Sequence, residues 1–136
     1  MRVTLLSYTQ NAERLCASAA HSCYSSKGAS DLMEEWDERK GARWLSVPLA
    51  SGHHSVIEHA CYTFSIEGVS RSLTHQLVRH RLASYSQMSQ RYVDMKNADY
   101  VVPRSISSDP LLEESYRALM ERIWEEYREL SKKVPV

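Results

Sequence analysis

Long helical periodicities, and short β-rich runs far apart in the chain with no regular strand–helix alternation, predict an α+β fold. Residues 3–8 are apolar and partly β-branched and read as a strand. Asn11 is placed to cap a helix running to about residue 23, with Ala12, Leu15, Cys16, Ala19 and Ala20 at helical spacing. Residues 25–28, Ser-Ser-Lys-Gly, form a loop. Ser30 or Asp31 opens a second helix with an acidic start, in which Leu32, Trp36, Trp44 and Leu45 are roughly in phase. Pro48, or Ser51-Gly52 shortly after it, ends that helix. Residues 59–68 alternate and are rich in Tyr, Thr, Phe and Ile, as a second strand should be. Ser70 caps a helix reaching Arg81, and a loop or irregular strand follows through Tyr92. Residues 99–103 are extended and 105–108 form a loop. The last helix is the clearest element. Asp109 is its N-cap and Pro110 its first residue, where the missing N–H costs nothing. Leu112, Tyr116, Leu119, Met120, Ile123, Tyr127 and Leu130 then share a face. With no internal repeat, linker or low-complexity tract, residues 1–136 read as a single domain.

Lys+Arg and Asp+Glu are 17 each, which excludes a globally basic nucleic-acid binder and leaves a local basic site open. Apolar residues at 43% with only 4 Gly and 4 Pro exclude a disordered or fibrous chain. The length permits one sizeable core. Three cysteines without paired spacing argue against a disulfide framework or a thiolate zinc site; Cys23 and Cys61 read as small core residues. His54 and His59 lie five apart with no carboxylate cluster to complete them, so no metal is expected. Residues 1–7 lack the apolar run of a signal peptide, and nothing approaches the roughly 18–20 apolar residues of a membrane span. A cytoplasmic location without a membrane partner is expected.

The chemistry concentrates in residues 69–93, which contain no Asp or Glu. They hold Arg71, Arg79, Arg81 and Arg91 with His75 and His80, among many hydroxyls and amides. Guanidinium forks and hydroxyls are what phosphate recognition requires. On a helix, Gln76, Arg79 and His80 share a face. On an extended segment, Ser89 and Arg91 point the same way. From the residues alone, such a cluster is more often a solvated basic face or an oligomer interface than a site.

The spacing Arg79-His80-Arg81-x-x-Ser84-x-x-x-x-Ser89-x-Arg91 changes that balance. It resembles the signature of the flavin-dependent thymidylate synthases, R-H-R-x-x-S-x-x-x-x-S-x-R, at every fixed position. Gly52-His53-His54-Ser55-Val56-Ile57-Glu58-His59 resembles the G-H-x-[ST]-x-x-E-H segment that precedes the signature. The resemblance covers nearly the whole chain and is strongest over residues 52–92.

The resemblance implies an α+β domain with an antiparallel sheet flanked by helices. It implies an enzyme that makes thymidylate from deoxyuridylate (dUMP), with FAD as cofactor, methylenetetrahydrofolate as carbon donor and NADPH as reductant. It also implies a homotetramer and no nucleic-acid partner. Carried over by position, Arg79, His80 and Arg81 contact the FAD, and Arg79 also reaches dUMP. Gln76 contacts the nucleotide, and Gln87 lies between flavin and nucleotide. Ser89 and Arg91 bind the nucleotide phosphate beside the backbone amides of Met88, Ser89 and Gln90. Ser55 and Glu58 match flavin contacts, although Glu58 is equally an arginine's partner. His53 falls near the flavin ring, where folate or nicotinamide enters. His53 and Arg91 are the candidate catalytic residues. Ser84 ties down the loop.

Family chains continue past the helix containing Tyr127-Arg128-Glu129-Leu130 with a proline turn, an E-x-A-R segment, an L-P stretch and an N-x-R-x-L helix. Those segments carry further arginines for dUMP and an asparagine for flavin. Here the sequence ends at Val134-Pro135-Val136, where that turn would begin. The expectation is a chain lacking the family's C-terminal part, with exposed apolar surface and little or no turnover alone. Two other readings stand beside a synthase: a non-catalytic FAD- or nucleotide-binding chain that oligomerises, and a nucleic-acid-binding or oligomerisation domain. The neutral charge counts against the last.

Overall fold

The computed structural model describes residues 1–96 and 98–134. Asn97 lies outside them, as do Pro135 and Val136 of the terminal stretch singled out above. The architecture is mixed α+β, as expected, with one antiparallel strand pair and six α-helices among the described residues. The chain divides into two compact units, Met1–Glu67 and Gly68–Val136.

The first unit contains β1 (Arg2–Tyr8), α1 (Ala12–Ser22), α2 (Ala29–Glu34), α3 (Glu38–Ala50), a 3-10 turn (His54–Ile57) and β2 (Tyr62–Glu67). β1 and β2 pair from Arg2↔Glu67 to Tyr8↔Tyr62, with an irregularity between Leu5 and Ser7. Directly paired residues share a face. Val3, Leu5, Tyr8, Tyr62, Phe64 and Ile66 therefore make one apolar face, and Arg2, Thr4, Ser7, Thr63, Ser65 and Glu67 the other. Without the irregularity, strict alternation through Leu6 would put Ser7 on the apolar face and Tyr8 on the polar one. All six apolar-face side chains are exposed, between 43% and 55%.

The buried residues of the described chain all lie in α1, α2 and α3. Cys16, Ala17 and Ala20 of α1 let the helices approach closely, and Leu32 of α2 is 1% exposed. Burial pushes the Cys16 thiol up. Cys23 and Cys61 are exposed, which corrects the expectation that both are core residues. His21 stacks on Trp44 at 4.3 Å and 6°, joining α1 to α3. Asn11 precedes α1 but its side chain makes no cap bond; it adopts the left-handed conformation (φ 51°) that asparagine tolerates.

The single helix expected from Ser30 onward is two helices. Asp37 interrupts it and caps α3 instead, accepting from the Lys40 N–H at 2.9 Å. The break lets Trp36 fold over the helical Gly41, where a Cβ would lie 2.9 Å from Trp36 Cε2. Pro48 does not end the helix. It sits buried inside the last turn, where it forgoes the bond from its own position to the Trp44 carbonyl, and α3 runs on to Ala50. The reversal comes at Gly52, whose φ of 80° suits glycine.

The Lys40 backbone N–H, helped by its ammonium, holds the Asp37 carboxyl below the usual aspartate range. A depressed carboxyl stabilises the fold above its unfolded pKa, and that contribution is lost as pH falls through the folded value. Acidification below about pH 4 should therefore fray the start of α3. Asp37→Asn caps without titrating, so the acid-induced loss of far-UV CD should be smaller in that variant. Identical acid titrations would show that the cap does not couple to pH.

The second unit contains α4 (Arg71–Leu77), α5 (Arg104–Ser107) and α6 (Pro110–Lys133). Ser70 caps α4 as expected, accepting from the Leu73 N–H at 3.2 Å. Residues 105–108, expected as loop, are mostly helical. Pro103 fixes the entry with φ −60°, and its carbonyl accepts from the Ile106 and Ser107 N–H groups at 2.9 and 3.0 Å. Residues 99–103 join no strand. Asp109 caps α6 through the Leu111 and Leu112 N–H groups, at 3.0 and 3.3 Å. Tyr116, Met120, Trp124 and Tyr127 are half-buried. The Tyr116 hydroxyl donates to the Val101 carbonyl and Arg128 Nε to the Lys96 carbonyl, so the preceding segment runs beside this side of α6.

Candidate functional site

The expected site residues divide between the units. In the first, the turn that Gly52 opens carries His53, Ser55 and Glu58. The His53 N–H donates to the Pro48 carbonyl at 2.9 Å and the Glu58 N–H to the Ser55 carbonyl at 3.1 Å, which fixes their backbone. All three side chains are exposed. Glu58 pairs with no arginine among the described residues, so the alternative of a structural ion pair has no support.

In the second unit, α4 stops at Leu77 rather than at Arg81. The Arg79 and His80 N–H groups donate three residues back, to the carbonyls of Gln76 (3.2 Å) and Leu77 (3.0 Å). Such bonds tighten and end a helix. Gln76 thus lies on α4 and Arg79, His80 and Arg81 lie beyond it, so the shared α-helical face is not formed.

The chain that follows is irregular but tethered to α4 at two places. Arg71 Nη1 donates to the Met88 carbonyl at 3.1 Å, and the Gln87 amide donates to the Thr74 hydroxyl. Arg71 and Thr74 stand among the donors that the sequence singles out, but their role as tethers was not legible there. Both belong to the acid-free run, but nothing in local spacing links positions 71 and 74 to 87 and 88. Among the described residues, no backbone N–H from Ser84 to Gln90 donates to a protein acceptor.

Ser89 and Arg91 do not sit on an extended segment. Ser89 opens a turn: its carbonyl accepts from the Tyr92 and Val93 N–H groups, and its Oγ accepts from the Arg91 N–H at 3.2 Å. Serine favours this local bond over extension. Its hydroxyl proton stays free to donate. The Arg91 guanidinium lies 5.9 Å from the Tyr92 ring centroid. Arg79, His80, Arg81, Gln87, Met88, Gln90 and Arg91 are exposed, and Ser89 is half-buried. None of Arg71, Arg79, Arg81 and Arg91 forms an ion pair with a described residue. This stretch thus carries guanidinium groups without ion-pair partners among the described residues, a hydroxyl with a free proton and backbone amides without protein acceptors. Its donors suit the phosphates of nucleotides and of a dinucleotide cofactor. Among the described residues, no cluster of His, Cys, Asp and Glu is built to hold a metal ion.

Fold and sequence thus describe an α+β chain with an exposed, carboxylate-free stretch of donors. The sequence profile of the thymidylate synthase complementing protein family matches residues 4–135, and the chain belongs to that family. It is 50% identical over 109 residues to a flavin-dependent thymidylate synthase of Clostridium tetani, covering 80% of this chain and 44% of that protein. The protein of the same name from Geobacter sulfurreducens is 42% identical over 132 residues, covering 96% of this chain and 57% of the relative. The one from Pyrococcus furiosus is 41% identical over 133 residues, covering 95% and 54%. The chain spans about half the length of the curated relatives it matches.

Proposed function

We propose that this chain forms the FAD- and dUMP-binding portion of a flavin-dependent thymidylate synthase, with methylenetetrahydrofolate and NADPH as co-substrates, acting in dTMP biosynthesis in the cytoplasm. The observation that carries this reading is the stretch from Arg79 to Arg91. It bears the family signature and presents its guanidinium groups, its Ser89 hydroxyl and its backbone amides without competing carboxylates. The flavin, when bound and reduced by NADPH, would supply the hydride for the methyl group.

This chain's residues bind and orient. Ser89 and Arg91 hold the dUMP phosphate, with the amides of Met88, Ser89 and Gln90 beside them. Arg79, His80 and Arg81 hold FAD, and Arg79 also reaches dUMP. Gln76 contacts the nucleotide. Gln87, braced on Thr74, keeps its carbonyl oxygen available as an acceptor at the flavin–nucleotide boundary. Ser55 and Glu58 contact the flavin, and His53 stands where folate or nicotinamide enters. Fixing two reactants against each other is the larger part of what such a protein contributes. Because the relatives are about twice as long, sustained turnover is assigned to the longer protein and binding to this chain.

A fluorescence titration of FAD with the purified chain, with and without dUMP, tests the reading. Saturable quenching that sharpens with dUMP is expected. No quenching at high protein concentration would leave the signature without a site. Tritium release from dUMP labelled at C5 should be slight, and sustained release would overturn the restriction to binding.

A further inference from the structure

Arg71 and Thr74 stand three residues apart on α4 and so share a face, and both hold the loop that returns to it. The contacts run in one direction. The Gln87 amide donates to the Thr74 hydroxyl. The Thr74 hydroxyl donates to the Arg71 carbonyl at 3.0 Å, and Arg71 Nη1 donates to the Met88 carbonyl at 3.1 Å. The adjacent loop residues Gln87 and Met88 are thereby joined through one turn of helix into a closed ring of hydrogen bonds.

The sense of that ring is fixed by its chemistry. A guanidinium only donates and a main-chain carbonyl only accepts. The Thr74 hydroxyl has a single proton, and its bond to the carbonyl three residues back consumes it. Toward Gln87, Thr74 is therefore an acceptor. Only the NH2 end of the Gln87 amide can meet it, which leaves the Oε1 end as the free one. Arg71 and Thr74 are half-buried and Gln87 is exposed, so the fixed end lies against the helix and the free end is open to a ligand. An amide oxygen held in that sense takes a donor and rejects an acceptor. Uracil and the isoalloxazine ring each carry one imide N–H, at N3. Cytosine has an unprotonated N3 in its place, which would set two acceptors against each other.

We propose, resting on the assignment of Gln87 to the flavin–nucleotide boundary, that Thr74 is a positioning residue that fixes the Gln87 amide as the acceptor for a ligand's imide N–H. Thr74→Val keeps the branched shape and removes the acceptor, so the amide is freed to turn either end outward; Thr74→Ser keeps the acceptor. Isothermal titration of wild type and both variants with dUMP and dCMP, and with FAD and N3-methyl-FAD, reads the effect. Where uracil supplies the imide, the preference for dUMP over dCMP should fall by about 3- to 10-fold in Thr74→Val and be kept in Thr74→Ser. Where the flavin supplies it, the preference for FAD over N3-methyl-FAD should fall instead. A loosened loop alone weakens both members of a pair equally, so unchanged preferences in Thr74→Val would overturn the proposal. So would Thr74→Ser behaving as Thr74→Val. The tether is also read without ligand. Exchange of the Gln87 side-chain amide protons, followed by NMR, should be slowed in wild type and Thr74→Ser and faster in Thr74→Val. Equal exchange in all three would overturn the proposal whether or not the chain binds a nucleotide. Slowed exchange in a wild type that binds neither dUMP nor FAD would overturn the proposed function, and the imide assignment with it, while the tether stands.

Discussion

Arg91→Ala is expected to weaken dUMP binding by about 10- to 100-fold without altering the far-UV CD spectrum. The guanidinium is exposed, makes no ion pair with a described residue, and rests only near the Tyr92 ring, so its removal costs the fold little. Its worth lies in the ligand. A hydrogen bond to a charged group contributes about 1.5–3 kcal/mol, and each 1.4 kcal/mol is about tenfold in affinity. Arg91→Lys keeps the charge but loses the planar fork, and should fall between wild type and alanine. Ser89→Ala is a different lesion. It deletes both the proposed donor to the phosphate and the acceptor that holds the Arg91 N–H, so it should weaken binding and loosen the turn together. Isothermal titration at fixed ionic strength separates these cases. An unchanged dissociation constant for Arg91→Ala would place the phosphate elsewhere.

How well the chain could be read varied with how local each cause was. The last helix was legible because its cap, its first-turn proline and its periodicity all lie within the element. The break at Trp36 was not. It depends on Asp37 preferring a cap to a helix interior and on Trp36 finding the bare surface of Gly41, and the second is a tertiary fact. The spacing alone pairs Ser89 with Arg91, but on an extended segment that does not form, because the Ser89 side chain competes with extension for the Arg91 N–H. The same limit hid Arg71 and Thr74, whose roles come from a loop that returns thirteen or more residues later. Composition gave no warning of how little would be buried. The apolar share suits a large core, yet the ribbon face and half of the α6 face stay in water.

Because the core is small, Leu32→Ala should be the most destabilising single truncation in the first unit, at about 2–5 kcal/mol. α2 has six residues, too few to hold helical structure in water by itself. Two things secure it. Leu32 is 1% exposed, and Arg14 Nε donates to the Met33 carbonyl at 2.6 Å. The other buried apolar side chains, Cys16, Ala17, Ala20 and Pro48, are small or rigid and cannot swell into the space a leucine leaves. At roughly 0.05–0.15 kcal/mol per residue, a unit of this size has only about 3–10 kcal/mol to lose. The variant should therefore unfold at much lower urea and be cleaved by protease in the loop between α1 and α2. Leu5→Ala is the matched control. That leucine is 47% exposed on the uncovered ribbon face, so its truncation should cost well under the core figure, nearer the ~0.5 kcal/mol typical of surface changes. Equal urea midpoints for the two variants would mean that the unit is not organised around Leu32. A large loss for Leu5→Ala alone would mean that the ribbon face is covered in solution.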